Sequence, residues 1–338
     1  MKRVRILTVY QFATLGGVER ALLNRAFAFK ETGAKVTLDL LFLRDHGGMA
    51  AIKRAIDTFG LHDYVRVVTN PRLADYEFFS LIDTPEFFDF VPRGGKFFVE
   101  CHASGYQAQV YLSTLPTQVQ AVAVPSASVR RRVSEMVDVP VELLPNRVPR
   151  PRPSIVSGRW GTPVIFYIGR VEPGKNVSEA LRIHARAKDI EPEISMLIVT
   201  PSRDCTSVYE EAARLGTLKN VFIRGAVPFD KFDDLYAEIG SERSVFLSSS
   251  RHETWGLSAA ESIAAGIPVV LASNEGHREV ARENEAFLYP MSDEEVAAGR
   301  VLNALYRKER IIEDLSDLRD YHTRLADVTS AAISFFGL

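Results

Sequence analysis

Cysteine is nearly missing from this chain of 338 residues: only Cys101 and Cys205 occur, far apart. Two isolated thiols exclude a disulfide framework and fit a reducing cytoplasm. No apolar run reaches the ~20 residues that cross a bilayer as a helix. The start, Met1 to Tyr10, has basic residues but no long apolar core and no small-residue cleavage site. It therefore reads as a first strand and not as a signal peptide. Net charge is only −2, and no nucleic-acid partner is expected. Residues 1–150 carry 19 Lys/Arg against 15 Asp/Glu, and the remainder 22 against 28. A basic first half suits an anionic membrane surface or an anionic acceptor, and ordinary scatter accounts for it as well. The chain lacks an Asp-x-Asp pair, so no metal is expected. It also lacks the Gly-x-Gly-x-x-Gly turn and the P-loop, which argues against a nicotinamide dehydrogenase.

An apolar content of 46% with 25% charged residues describes a globular protein, and the length favours two domains. Short apolar, β-branched runs alternate with helical patterns. The first series of strands is Val4–Val9, Val36–Phe42, Val65–Val68, Phe97–Cys101, Ala121–Val124 and Val141–Leu144. The second is Val164–Ile168, Met196–Val199, Val221–Ile223, Val245–Leu247, Pro268–Leu271 and Ala286–Tyr289. Helical stretches such as Val18–Thr32 and Val177–Lys188 lie between them. The pattern predicts an α/β protein with parallel sheets covered on both faces. The series break at Pro145–Pro153, where four prolines in nine residues cannot continue a helix or a central strand. Two doubly wound domains are expected, with ligands outside the carboxyl ends of the strands.

Several loops after these strands carry suitable chemistry. Gly16-Gly17 precedes a helix whose free N–H groups and dipole favour an anion. Arg170 and Lys175 flank a Gly/Pro-punctuated turn and can converge on one diphosphate, the first as a planar fork and the second as a point charge. Gly225 to Val227 follow another strand. His102 follows the strand Phe97–Cys101. Glu253 and Glu261 lie eight positions apart in Arg251-His-Glu-Thr-Trp-Gly-Leu-Ser-Ala-Ala-Glu-Ser-Ile-Ala-Ala-Gly-Ile-Pro-Val-Val270, the first in a loop and the second on a helix. Carboxylates in that layout can accept hydrogen bonds from paired sugar hydroxyls. Taken singly, each of these residues also reads as an ordinary turn, a solvated charge or a structural histidine.

The paired glutamates and their flanks resemble the signature of retaining GT-B glycosyltransferases of the family-four, or group 1, type. Gly169-Arg170 with Lys175, the Gly16-Gly17 loop and His102-Ala103-Ser104 resemble further elements of that family. The resemblance is dense over 163–290 and thin over 44–120. It implies a GT-B fold with two Rossmann-like domains facing a cleft: 1–148 on the acceptor side, 149–310 for the nucleotide sugar, and 311–338 as a helical segment packing back on the first. It implies transfer of a sugar from a nucleoside diphosphate sugar, with UDP or GDP as the nucleotide, to a saccharide, lipid-linked or other hydroxyl acceptor. The setting would be polysaccharide, glycolipid or glycoconjugate synthesis in the cytoplasm or on the inner face of its membrane. No cofactor or metal is implied. Arg170, Lys175 and the N–H groups around Gly16 and Gly17 would hold the diphosphate. Glu253 would hold sugar hydroxyls, helped by the backbone of Thr254, Trp255, Gly256 and Leu257. Glu261 would hold the ribose, Gly225 and Val227 the base, and His102 would lie near the reacting centre.

Departures from the family pattern are Asn176 and Arg147 where Gly is frequent, Thr254 and Trp255 in place of Gly and Phe, and Ser262 in place of Ala. Trp255 is expected to narrow the sugar pocket or stack over it. The Arg130–Arg132 cluster, on a helix expected over Ser126–Val137, could touch anionic lipid or simply be solvated. Two other readings remain: a catalytically silent GT-B scaffold that binds a partner, and a GT-B sugar-nucleotide epimerase.

Overall fold

The structure, a computed structural model, describes residues 3–103, 109–154, 160–240, 243–306 and 309–338. It consists of two compact units, Met1–Pro149 with Arg324–Leu338, and Arg150–Thr323.

In the first unit, β1 (Val4–Ala13), β2 (Val36–Asp45), β3 (Val65–Val67), β4 (Phe78–Ile82), β5 (Lys96–Glu100), β6 (Val119–Val124) and β7 (Val141–Leu143) form one parallel sheet. Its order is β3-β2-β1-β4-β5-β6-β7. The chain reverses direction across the sheet between β1 and β4, the position at which ligand crevices form in such folds. The helices α1 (Gly17–Thr32), α2 (Met49–Phe59) and α3 (Ala127–Ser134) connect strands. α1 stops at Gly33, whose φ of 68° and N–H bond to Lys30 O close the helix in the left-handed conformation that glycine adopts without strain. α3 is shorter than its expected span. Ser126 caps it by accepting from Val129 N, and Arg130 and Arg131 face solvent.

The strand β4 has no counterpart among the expected strands, although it lies mid-sheet. Its five residues carry Ser80 at the centre and run into Asp83-Thr84-Pro85, which masks the apolar signal. Ser80 is there for a partner: its hydroxyl donates to the buried Glu100 at 2.7 Å.

The second unit repeats the plan. β8 (Val164–Ile168), α4 (Val177–Lys188), β9 (Ser195–Val199), α5 (Thr206–Arg214), β10 (Val221–Arg224), α6 (Phe232–Ile239), β11 (Ser244–Ser248), α7 (Leu257–Ala264), β12 (Val269–Ala272), α8 (Glu275–Val280), β13 (Leu288–Tyr289), α9 (Glu294–Leu305) and α10 (Glu309–His322) follow in order. The parallel sheet runs β10-β9-β8-β11-β12-β13. Its strands other than the edge strand β10 are buried on both faces. Leu181, Val208 and Val301 pack one side, and Leu235, Ile263 and Leu315 pack the other.

The carboxyl-terminal segment divides at Thr323. A return to the first unit from residue 311 is not what the structure shows. α10 stays on the second unit, with Ile311, Leu315 and Leu318 in its core. Only α11 (Leu325–Phe336) belongs to the first. There Leu325 and Val328 meet Ala28 of α1, and Phe335 and Phe336 set their rings 5.0 and 5.2 Å from Phe98. Burying each phenyl ring stabilises by about 1.5–3 kcal/mol. Arg147 has a role there too: it is buried and pairs with Asp327 of α11 at 3.5 Å. Among the described residues no helix is long and apolar enough to cross a membrane.

One buried ion pair ties α1 to the sheet. Arg25 reaches both oxygens of Glu100, at 2.8 and 2.7 Å, with side chains 3% and 0% exposed. Burial pushes the Glu100 carboxyl up, but Arg25, assisted by His102, more than offsets this and holds it below the usual carboxylate range. A depressed folded pKa means that the pair stabilises fully above the ordinary carboxylate value. That contribution is lost as pH falls below this value toward the folded one. Glu100→Ala leaves a buried guanidinium without its anion and is expected to cost about 3–5 kcal/mol. Urea unfolding at neutral pH checks this; a change under about 1 kcal/mol would contradict it.

Candidate active site

The loops after β8 and β11, neighbouring strands in the second unit, bring two of the predicted residues into contact. Lys175 Nζ lies 2.5 Å from Glu253 Oε1, with side chains 25% and 16% exposed. Burial pushes the Glu253 carboxyl up, yet Lys175, His277 and a hydrogen bond from Ser250 more than compensate, and its pKa is lowered. Glu253 is thus an anionic acceptor at neutral pH. The two loops are laced further: Arg251 N donates to Gly174 O at 2.9 Å, and Ser249 Oγ to Asn176 O at 2.7 Å. Asn176 holds φ 54° and ψ 44°, the left-handed conformation that asparagine tolerates. Its amide donates to Glu179 at 2.5 Å. Arg170 does not join this pair. Its exposed guanidinium meets Glu172 at 3.1 Å, on the same turn.

Glu253, Thr254, Trp255 and Gly256 run directly into the start of α7, where Leu257 is the first helical residue. A helix start presents backbone N–H groups without intrahelical partners. Gly256 takes φ 98°, and a Cβ there would meet the His277 ring at 3.2 Å. Glu261 lies on α7, and Tyr236 Oη donates to it at 3.3 Å. The Trp255 ring is not over a sugar pocket. It is 5% exposed, packed in the core with Ile263 and Leu315, and set edge-on 5.9 Å from His322. An indole is largely apolar, and the core under α10 offers more apolar contact than the open loop. Ser262 is buried and turns its hydroxyl to Ser258 O.

Gly225 and Val227 line a cavity of about 360 Å³ beyond the end of β10, walled also by Asp234 and Glu238. Arg224 there is clasped by Glu238 at 2.9 and 2.7 Å.

In the first unit, the loop after β1 wraps a buried carboxylate. Glu19 accepts from Thr14 N and from Thr14 Oγ1, and burial raises its pKa. A Cβ on Gly16 would meet that same Thr14 oxygen at 2.8 Å, whereas one on Gly17 would meet nothing. His102 follows β5, its side chain 10% exposed and its Nε2 3.3 Å from Glu100 Oε2. Ser104, quoted with it above, lies outside the described residues.

Sequence reasoning passed over the residues that support these loops. Gly276 sits so close to Glu253 that a Cβ would lie 2.4 Å from the Glu253 carbonyl oxygen. His277 is fully buried, holds Ala272 O from Nδ1 at 2.7 Å, and has its pKa lowered by burial. Gly48 stands against Thr14 O in the same way. The signals were present: Gly47-Gly48 after β2, and a lone Gly one residue before His277. Gly276→Ala should displace the Glu253 backbone and destabilise the second unit by about 1–3 kcal/mol. Gly17→Ala should change stability by less than about 0.5 kcal/mol. Thermal unfolding of the two variants side by side is the check, and equal melting temperatures would refute it.

Residues 157–321 match the family model for glycosyl transferases group 1. An uncharacterized glycosyltransferase of Methanocaldococcus jannaschii is 29% identical over 156 residues, which span 45% of this chain and 38% of that protein. Over the whole chain, the fold is similar to that of a TarM variant of S. aureus in complex with fondaparinux, alpha-GlcNAc-glycerol and UDP. There the TM-score is 0.79, the identity 11%, and each chain is covered in full. Anabaena HepE, in complex with UDP and glucose, gives a TM-score of 0.75 at 16% identity, covering 99% of this chain and 100% of that one. The second unit is thus a glycosyl transferases group 1 domain, in a chain whose two parallel sheets follow the GT-B plan.

Proposed function

We propose that this chain is a retaining glycosyltransferase that moves a sugar from a nucleoside diphosphate sugar to an acceptor hydroxyl without a metal ion. The observation that carries the proposal is the Lys175–Glu253 pair, partly open to solvent at the carboxyl edge of the second sheet and directly before the start of α7. A cation and an anionic acceptor held together suit a donor that presents phosphate at one end and hydroxyls at the other. Glu253 accepts hydrogen bonds from sugar hydroxyls, and Lys175, with the exposed Arg170, neutralises the departing diphosphate. Glu261 takes the ribose, and the cavity at Gly225 and Val227 takes the base. UDP is the favoured nucleotide, since both TarM and HepE were solved with it. Gly16, Gly17 and His102 keep the roles that the resemblance gives them, the first two toward the diphosphate and the third toward a substrate hydroxyl. The acceptor is a saccharide or a lipid-linked hydroxyl, as in surface glycan synthesis.

Purified protein in EDTA, offered UDP-, GDP-, ADP- and dTDP-sugars, is expected to release nucleoside diphosphate from one donor and to melt at higher temperature with it. Lys175→Ala should reduce that turnover roughly 10²–10³-fold, and Glu253→Gln should weaken it as well. Because the Glu253 pKa is lowered, activity should stay flat as pH drops to the ordinary carboxylate range and fail only below it. Silence with every donor would sink the proposal and leave the scaffold reading; full activity in both variants would remove Lys175 and Glu253 from the reacting site.

We infer further that Arg130 and Arg131, which project from α3 into solvent, meet an anionic membrane surface. Flotation with anionic and neutral liposomes is expected to retain the protein only on the anionic ones. Retention unchanged by reversing both charges would rule this out.

A further inference from the structure

Glu100 is a carboxylate whose every acceptor position is in use. Its Oε1 accepts from Arg25 Nη1 at 2.8 Å and from Ser80 Oγ at 2.7 Å. Its Oε2 accepts from Arg25 Nη2 at 2.7 Å and faces His102 Nε2 at 3.3 Å. An ionised carboxylate offers about four lone-pair positions and no donor. The bidentate Arg25, itself buried, keeps Glu100 ionised, so the fourth contact is made only if His102 carries a proton on Nε2. A neutral imidazole with its proton there has an acceptor at Nδ1. The backbone of His102 is fixed independently: its N–H donates to Asp83 Oδ2 at 2.9 Å, and Tyr111 Oη donates to Asp83 Oδ1 at 2.9 Å. Asp83 N in turn donates to Glu100 O at 3.1 Å, joining the ends of β4 and β5. One carboxylate therefore holds the peptide of His102 and another holds its ring.

We propose that Glu100 is a positioning residue that fixes the His102 ring with its proton on Nε2, presenting Nδ1 as a hydrogen-bond acceptor for a substrate hydroxyl. The proposal rests on the reading of His102 given above. It adds the direction of the hydrogen bond: His102 receives a proton donor from the substrate and does not offer one. The chain of partners, Arg25 to Glu100 to His102, runs from the interior of α1 to the carboxyl end of β5. Ser80 on β4 completes it, which accounts for a polar residue in the middle of a buried strand.

The test uses protein labelled with ¹⁵N in histidine, with long-range ¹H–¹⁵N spectra recorded above about pH 8, where an ordinary histidine is neutral. His102→Gln assigns the signal. The wild-type ring is expected to show a protonated Nε2 and a bare Nδ1. Glu100→Gln alone leaves Arg25 unpaired and risks the fold. The comparison therefore uses Arg25→Met with Glu100→Gln, which removes both charges at similar shape, a replacement that buried pairs commonly tolerate. In that double variant the ring should lose its single tautomer: a free imidazole favours the proton on Nε2 only modestly, so an Nδ1-protonated minority should appear beside it. The kcat for hydrolysis of the nucleotide sugar selected by the donor panel should fall roughly tenfold or more, with KM changed less than about twofold. A wild-type ring protonated on Nδ1, or a ring and kcat both unmoved in the double variant, would overturn the proposal. If the ring responds as stated but the wild type consumes no nucleotide sugar, the transferase reading falls, while the hold of Glu100 on His102 stands.

Discussion

A carboxylate taken largely out of water has to be met by a cation, and in the second unit that requirement fixes two loops at once. Glu253 leaves β11, Lys175 leaves β8, and the strands are neighbours. Their ion pair therefore ties the two loops across the point where the order of the sheet reverses. The surrounding contacts serve it. Ser249 holds the carbonyl of Asn176, Arg251 that of Gly174, and Gly276 gives the Glu253 backbone the space it occupies. With these in place the pair is preorganised, and a ligand that exploits it has less ordering to impose.

The first unit uses the same electrostatics to a different end. Arg25 and Glu100 are 3% and 0% exposed, against 25% and 16% for Lys175 and Glu253. A pair sealed from solvent has no ligand to meet; its effect passes through whatever else it touches. What Glu100 touches beyond the core is His102. Exposure separates a pair that can exchange partners with a substrate from one that orients a neighbour.

The sheets were legible because parallel strands in such sheets read as short apolar runs, and among the described residues twelve of the thirteen strands overlap an expected one. β4 escaped because Ser80 answers to Glu100, a partner twenty positions on that no local pattern reveals. The helical region at the end was legible as helix, but not its change of unit at Thr323. Amphipathic spacing says that a face is buried and not against what. The candidate residues Lys175, Glu253, Gly256 and Glu261 stood out by chemistry and flanks. Gly276 and His277 did not, since their part is to leave room for and to line up the backbone of others, which only coordinates show.

The departures from the family pattern carry the last step. Three of the odd residues have a partner that makes them tolerable. Asn176 takes a left-handed backbone where glycine is frequent, and Glu179 holds its amide; Glu179 is itself held by Tyr289 at 3.0 Å. Arg147 replaces a small residue in the turn before Pro149 and finds Asp327 on α11. Trp255 is bulkier than the usual aromatic and goes inward, where α10 supplies Leu315, Leu318 and the His322 ring. His322 in turn holds Val280 O at the end of α8, the helix that carries Gly276 and His277. A substitution that violates a local pattern survives when a second residue absorbs the strain, the volume or the charge. For Asn176 and Trp255 the absorbing residues lie on elements of the second unit that carry or back the loops of the candidate site. Those two departures therefore mark supports of the candidate site, and neither displaces the Lys175–Glu253 pair.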